Sequence, residues 1–380
     1  MIVAGEASGD MHGARLVEAM LNICPDLVFS GIGGKELEHA GVRMLYDAAK
    51  LAVVGLTEVI SHLGDILAAR KALIQQMRSV KPALLILIDY PDFNLLLAAK
   101  AKKLGIPVFY YISPQVWAWR SGRVKKIGKL TKRVGVILPF EKNFYAEQGV
   151  TVDFVGHPLV DTVKVTQNKE DFFKEHDIKV QDDTHIIGIL PGSRSREIRS
   201  LLPDFLAAAY LLAKNNPDKF CFLLPRASTI APSLLAENGL AEYRDKIPIH
   251  TFSADRYNLM AACDAVVSAS GTVTLELALL GIPTVTTYRV SPKTYRLGRL
   301  LIRHINFFSL VNLIGNRKII PELLQDEVTP QNIADHLRAM INDDTYRDEM
   351  KRGLTEVTKK LGPPGCSIRA AEIALQCMNS

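Results

Sequence analysis

Short apolar runs alternate with longer stretches of helical spacing along almost the whole sequence, and few folds accommodate that alternation. The strand candidates of a first series are Ile2–Ala4, Leu27–Ser30, Ala83–Ile88, Val108–Ile112, Arg133–Ile137 and Thr151–Phe154. A second series follows at Ile186–Leu190, Phe220–Leu223, Ile249–Phe252, Ala265–Ser268 and Thr284–Thr287. Between them, helical spacing recurs at Gly13–Asn22, Ile60–Arg78, Leu95–Lys103, Leu201–Asn215, Arg256–Ala262 and Val273–Leu280. Strand, helix and strand in that order close right-handed βαβ units around a parallel sheet. The expected class is α/β, with two Rossmann-like lobes. The polar stretch around Val160–Gln181 separates them, which places the lobes at residues 1–164 and 165–345. From Thr329 onward the pattern is helical and polar, and residues 346–380 read as a helical tail that packs back toward the first lobe. The first strand has three residues where about five or six is usual, which leaves open a start upstream of Met1 or a clipped first strand.

Composition removes several classes. Hydrophobic residues make up 48% and charged residues 23%, so neither a disordered chain nor a collagen-like repeat fits. The unbroken apolar run Ala83–Ile88 falls far short of the roughly 18 residues that cross a bilayer. The start, Met1-Ile2-Val3-Ala4-Gly5-Glu6, carries no basic segment, so no secretory signal is expected. Five cysteines without a C-x-x-C pair support neither a zinc ribbon nor a disulfide framework, and a reducing cytoplasm is the simplest compartment.

Open parallel sheets bind ligands outside the carboxyl ends of their strands, so four strand-to-helix loops are the candidate sites. The first is Gly5-Glu6-Ala7-Ser8-Gly9-Asp10. Its glycines permit a sharp turn, and Ser8 or Asp10 would cap the helix. Glu6 is superfluous to a plain turn. In the second loop, Asp89 ends the run Ala83–Ile88, where partial desolvation would raise its pKa toward that of a general base. Asp92 is the alternative there, and both aspartates acting as caps is the plain structural reading. The third, Pro191-Gly192-Ser193-Arg194, combines backbone N–H groups with a guanidinium, a set suited to phosphate. The fourth, Ser268-Ala269-Ser270-Gly271-Thr272, opens a helix that carries Glu276 one turn on, in reach of a ribose diol. Two such loops in one lobe suggest a nucleotide whose phosphates lie between them.

The sequence has no G-x-x-x-x-G-K-[ST] and no D-x-D, so helix ends and arginines rather than a bridging metal are expected to carry the diphosphate. His12 and His157 have no partner at metal-ligand spacing and read as structural. No metal site and no cofactor are expected.

Two stretches look suited to an anionic surface. Lys100–Arg133 carries ten Lys/Arg and no Asp/Glu, with Trp117, Trp119, Tyr110 and Tyr111 among them. Arg289–Lys318 is likewise basic and without acids, interleaved with Leu297, Leu300, Leu301, Ile302, Phe307 and Phe308. Beside them, Leu56, Val59, Ile60, Leu63, Ile66 and Leu67 recur at helical spacing. By periodicity that segment is a core-facing helix, while next to basic charge it would also suit an enzyme working on lipids. No nucleic-acid-binding signature is present, and a nucleic-acid partner is not expected.

Several blocks resemble the lipid-A-disaccharide synthases. They are Ala4-Gly5-Glu6-Ala7-Ser8-Gly9-Asp10, Ile88-Asp89-x-Pro91-Asp92-Phe93-Asn94, Ser113-Pro114-x-Val116-Trp117-Ala118-Trp119-Arg120 and Leu138-Pro139-Phe140-Glu141. Gly156-His157-Pro158, Leu190-Pro191-Gly192-Ser193-Arg194, Ser268-x-Ser270-Gly271-Thr272-x-Thr274-Leu275-Glu276 and Asn312-Leu313-Ile314 continue the series in order. The resemblance implies a GT-B glycosyltransferase whose two parallel-sheet lobes face each other across a cleft. It implies transfer from UDP-2,3-diacylglucosamine to 2,3-diacylglucosamine 1-phosphate, giving a β(1→6) disaccharide and UDP. It also implies a cytoplasmic enzyme, peripheral on the inner membrane of a Gram-negative bacterium, with a homodimer left open. Under that resemblance Asp89 would be the general base. Arg194, with Gly192, Ser193, Ser270, Gly271 and Thr272, would stabilise the departing diphosphate. Glu276 would hold the ribose or donor sugar, Asn312 would help beside it, and Glu6 and Ser8 would lie on the acceptor side. Val59, Ile60, Leu63, Ile66 and Leu67 would meet acyl chains or membrane. A UDP-N-acetylglucosamine 2-epimerase-like isomerase and a non-catalytic nucleotide- or lipid-binding protein are the alternatives.

Overall fold

All the strand pairs among the described residues are parallel, and they fall into two sheets. The computed structural model describes residues 1–47, 63–119, 121–291, 295 and 306–379. Contacts divide the chain into one unit of Met1–Asp161 with Leu361–Ser380 and a second of Thr162–Lys360.

The first unit contains β1 (Ile2–Ala4), β2 (Ser30–Gly33), β3 (Arg43–Asp47), β4 (Leu85–Ile88), β5 (Val108–Tyr111), β6 (Arg133–Val136) and β7 (Asp153–Phe154). Its sheet runs β3-β2-β1-β4-β5-β6-β7, so the strand order reverses between β1 and β4. The helices that concern the site are α1 (Ala7–Ile23), α2 (Lys35–His39), α3 (Leu63–Val80), α4 (Pro91–Lys103) and α5 (Val116–Trp119). The two-residue period of a strand explains the unbroken apolar run of β4. Leu85 and Leu87 enter a core with Leu73 and Met77 of α3 and Leu97 of α4, while Ile86 and Ile88 enter another with Leu16, Val17 and Met20 of α1. Each such side chain, taken fully out of water, stabilises the unit by about 1.5–3 kcal/mol.

Strand β2 lies three residues later than the apolar run Leu27–Ser30 suggests. Gly31 passes so close to β1 that a Cβ there would sit 1.7 Å from the Ile2 carbonyl oxygen. A strand that must be glycine at its contact point gives no hydrophobic signal. The sequence reading also missed β3 and, in the second unit, β13 (Glu322–Leu324). Both lie at sheet edges, where one side is unpaired and a continuous apolar run is not needed.

In the second unit β8 (His185–Leu190), β9 (Phe220–Pro225), β10 (Ile249–Phe252), β11 (Ala265–Ala269) and β12 (Thr284–Tyr288) join β13 in the order β10-β9-β8-β11-β12-β13. Here the order reverses between β8 and β11. The helices α6 (Ser195–Ala213), α7 (Arg256–Ala261), α8 (Val273–Leu280), α9 (Leu310–Gly315) and α10 (Asp344–Lys360) belong to this unit. The last helix, α11 (Cys366–Asn379), returns to the first unit, where Ala370, Ala371 and Ala374 share the core of α1. Asp161 accepts the backbone N–H groups of Gly365 at 2.7 Å and Cys366 at 3.0 Å and so caps that helix. All five cysteines are free thiols.

Candidate active site

The reversal between β1 and β4 brings the loops after these two strands together, with the Tyr90 ring against Gly5. Asp89 and Tyr90 follow β4 with φ of +43° and +45°, a left-handed pair that non-glycine residues adopt at a cost of about 1–3 kcal/mol each. The fully buried Asn94, one turn into α4, donates its amide to the carbonyls of Ile88 at 3.1 Å and Asp89 at 2.8 Å. The buried Tyr110 hydroxyl donates to the Asp89 carbonyl at 2.6 Å. The turn is therefore held from two neighbouring elements, and it presents a partly buried carboxyl. Burial pushes Asp89 up to about 6, and the nearby Glu6 carboxylate adds to the rise. A hydrogen bond from the Tyr90 backbone opposes it. Such a group is ionised at neutral pH and a better proton acceptor than an ordinary carboxylate.

Of the two aspartates left open by the sequence, Asp89 is the one set apart by its environment. Asp92 is exposed in the first turn of α4 and pairs with Arg123. It does not cap that helix, whose N-cap is Tyr90. Glu6, the N-cap residue of α1, and Ser8, in its first turn, are both exposed. Asp10 does not cap α1. It crosses instead to the start of α2, accepting from the backbone of Gly34 at 2.6 Å, Glu36 at 3.0 Å and Leu37 at 3.2 Å. His12 and His157 are both held down to about 4, chiefly by burial, so they are neutral at pH 7. The His157 Nδ1 atom accepts the Leu159 N–H at 3.2 Å, a structural bond.

In the second unit, the reversal between β8 and β11 opens a cavity of about 550 Å³. Gly192, Ser193 and Arg194 line one wall, and Ser270, Gly271, Thr272 and Glu276 another. Both expected anion loops therefore meet at one cavity. Gly192 has φ of +110°, and a Cβ there would lie 2.2 Å from a Glu197 carboxylate oxygen. The reason is a contact that the sequence reading missed. Glu197, in the first turn of α6, accepts the backbone N–H of Ser193 at 2.9 Å and of Arg194 at 3.1 Å. Those two amides are engaged by a carboxylate, so the exposed Arg194 guanidinium and the serine hydroxyl are what this wall offers an anion. The spacing of Arg194 and Glu197, i and i+3 at a helix start, was the available signal.

Asn312 is not among the cavity's lining residues. It is fully buried in α9, accepting from Ile319 and Ile320 N–H at 2.8 and 3.0 Å and donating to the Ile320 carbonyl and Glu322, both at 2.9 Å. Its local role is to hold the chain leading into β13. Arg256, the first residue of α7, lines the cavity and contacts Glu276. Nothing in the sequence had singled it out.

Three of the aromatic residues expected on a basic surface lie elsewhere, and the Trp119 side chain is outside the described residues. Tyr110 and Tyr111 are in the sheet core, and Trp117 is 8% exposed, edge-on to Phe140 with centroids 5.0 Å apart. Val59 and Ile60 lie outside the described residues, as does the Leu63 side chain. Ile66 packs against the first unit's core, whereas Leu67 is 53% exposed. No helix among the described residues is long and apolar enough to cross a membrane. None of these residues forms a group of three or more His, Cys, Asp or Glu placed to hold a metal ion.

The family model described as lipid-A-disaccharide synthetase matches residues 1–376. The lipid-A-disaccharide synthase of Geobacter sulfurreducens is 46% identical over 384 aligned residues, covering 100% of this chain and 97% of that one. That of Syntrophus aciditrophicus is also 46% identical, covering 99% of this chain and 96% of that one. Among solved structures, the fold is similar to that of CalG4, the calicheamicin glycosyltransferase, with a TM-score of 0.60, 14% identity and coverage of 100% and 96%. It is also similar to that of UDP-GlcNAc 2-epimerase from Neisseria meningitidis bound to UDP-GlcNAc, with a TM-score of 0.58, 14% identity and coverage of 100% and 98%. At these identities the structural likenesses speak to fold alone.

Proposed function

Because the chain belongs to the lipid-A-disaccharide synthase family, and so is a glycosyltransferase forming the lipid A disaccharide from a nucleotide sugar and a lipid acceptor, we propose that its donor is UDP-2,3-diacylglucosamine and its acceptor 2,3-diacylglucosamine 1-phosphate. The first unit supplies the base. The Asp89 carboxylate takes the proton of the acceptor 6-hydroxyl as that oxygen attacks the anomeric carbon of the donor. The carbon–oxygen bond to UDP breaks, its electron pair leaves with the diphosphate, and the anomeric configuration inverts. The second unit binds the leaving group. Arg194 and the hydroxyls of Ser193, Ser270 and Thr272, with the backbone at Gly192 and Gly271, stabilise the charge that develops on the diphosphate. Glu276 accepts hydrogen bonds from the ribose. Glu6 and Ser8 stand on the acceptor side.

The observation that carries this reading is the environment of Asp89. A partly buried carboxyl with a pKa of about 6, at the point where the strand order reverses, suits proton abstraction from a hydroxyl near neutral pH. The acyl chains, in this reading, meet the segment of Val59, Ile60, Leu63, Ile66 and Leu67, and the enzyme works at the cytoplasmic face of the inner membrane. The exposed Leu67 supports that assignment. The isomerase alternative gains nothing from the shared fold, since the family match over residues 1–376 is to the synthases.

The test is an assay in EDTA that mixes donor and acceptor and follows UDP and disaccharide together. Equal amounts of both establish the transfer and its independence of metal. UDP without disaccharide would show hydrolysis instead, and no turnover would overturn the proposed substrates.

A further inference from the structure

One ion pair lines the cavity of the second unit, and its arginine has no part in the roles above. Arg256 is the first residue of α7, after β10, and its guanidinium contacts Oε1 of Glu276 on α8. It also lies 4.8 Å above the Tyr257 ring and reaches the Tyr257 hydroxyl at 3.3 Å. The partners are unequal, since the Glu276 side chain is 6% exposed and that of Arg256 52%. The buried member is thus fixed by a guanidinium that itself stacks on a ring.

A carboxylate this buried is drawn toward its protonated form. For Glu276 burial is the largest influence and raises its pKa, while the Arg256 charge and hydrogen bonds from Arg256 and Tyr257 oppose that rise. Two other cationic groups that line the cavity have partners other than Glu276. Arg194 pairs with Glu197 at 3.5 Å, and Arg226 donates to the Ile230 carbonyl at 2.7 Å. Asp255, the N-cap residue of α7, adds a negative charge. The protonation state matters because a ribose diol presents two O–H donors. An ionised carboxylate is acceptor only, whereas a protonated one surrenders part of that capacity.

We propose that Arg256 is a positioning residue of the nucleotide site, fixing the Glu276 carboxylate as the acceptor by which a ribose diol is recognised. This rests on the reading that the cavity takes UDP. Arg256 need not touch the nucleotide. It sets the rotamer and charge of the residue that does.

The experiment is calorimetric titration of wild type, Arg256→Ala and Arg256→Lys with UDP and with 2′,3′-dideoxy-UDP. Wild type is expected to favour UDP by about 10–100-fold, as hydrogen bonds to a charged group would give. Arg256→Ala should lose about tenfold or more in UDP affinity and keep its dideoxy-UDP affinity within about twofold. Discrimination would then largely vanish, and Arg256→Lys should restore part of it. Equal loss for both ligands, or full discrimination without the arginine, would overturn the proposal. Failure of wild type to bind UDP at all would instead overturn the nucleotide reading beneath it. Because Arg256→Lys keeps the charge, it supplies the comparison if the alanine variant does not fold.

Discussion

Asn94 holds the backbone of Asp89, its side-chain amide donating at 2.8 Å to the carbonyl of a residue whose φ is +43°. The direction in which the Asp89 carboxyl points is thus set by a neighbour one helical turn away. Asn94→Ala should cut turnover tenfold or more with Asp89 still present, and should lower stability by about 1–3 kcal/mol through the buried carbonyls it abandons. Steady-state kinetics beside thermal unfolding would check this. Unchanged kcat would mean that Tyr110 alone suffices to hold the turn.

As a base with a pKa near 6, Asp89 should make kcat/KM rise with pH up to about 6 and level off above it. Asp89→Asn should reduce turnover by about 10²–10⁴ while leaving UDP affinity near wild type. A flat pH profile in the wild type would remove Asp89 from the proton transfer. A matching loss of UDP affinity would point to a structural role.

The same group carries a stability signature of definite sign. Its pKa is raised from 3.8 to about 6 in the folded protein, so the folded state holds the proton more tightly than the unfolded chain. The charge therefore opposes folding increasingly as pH rises from about 4 to 6, and fully above that, by an amount on the order of 2–3 kcal/mol. Asp89→Asn should melt higher than wild type at pH 7.5 and about level with it at pH 4. Differential scanning calorimetry at the two pH values distinguishes this from a substitution that merely repacks the turn.

Arg194→Ala should weaken UDP binding by about tenfold or more, because the guanidinium is the unburied cation on the wall whose backbone amides Glu197 occupies. The change should be smaller at high salt, and a titration indistinguishable from wild type would take Arg194 out of the site.

Asn312→Ala should act on stability, with a cost of about 3 kcal/mol, since it strands two N–H groups and a carbonyl in the interior. UDP affinity of the folded variant should stay within about twofold of wild type. A selective loss of UDP affinity at unchanged stability would return Asn312 to the nucleotide site.

The sequence determined a good deal of this protein by itself. Patterning of period two against period 3.6 is a local property, so two parallel sheets and most of their strands were legible without coordinates. The loops after β1, β4, β8 and β11 were legible for the same reason, because a glycine-rich turn or an aspartate ending an apolar run is written in consecutive residues. Tertiary structure decided what depends on neighbours distant in sequence. Only the Ile2 carbonyl against Gly31 shows why β2 is displaced. Asp10 bonds to residues 24 to 27 positions away rather than to its own helix. Asp89 differs from Asp92 because burial and Glu6 act on one and solvent and Arg123 on the other. Arg256 meets Glu276 across 20 residues of chain, through the packing of α7 beside α8. Burial and charge are sums over three-dimensional surroundings. The sequence therefore supplies the groups of a site, and the fold sets their protonation and their partners.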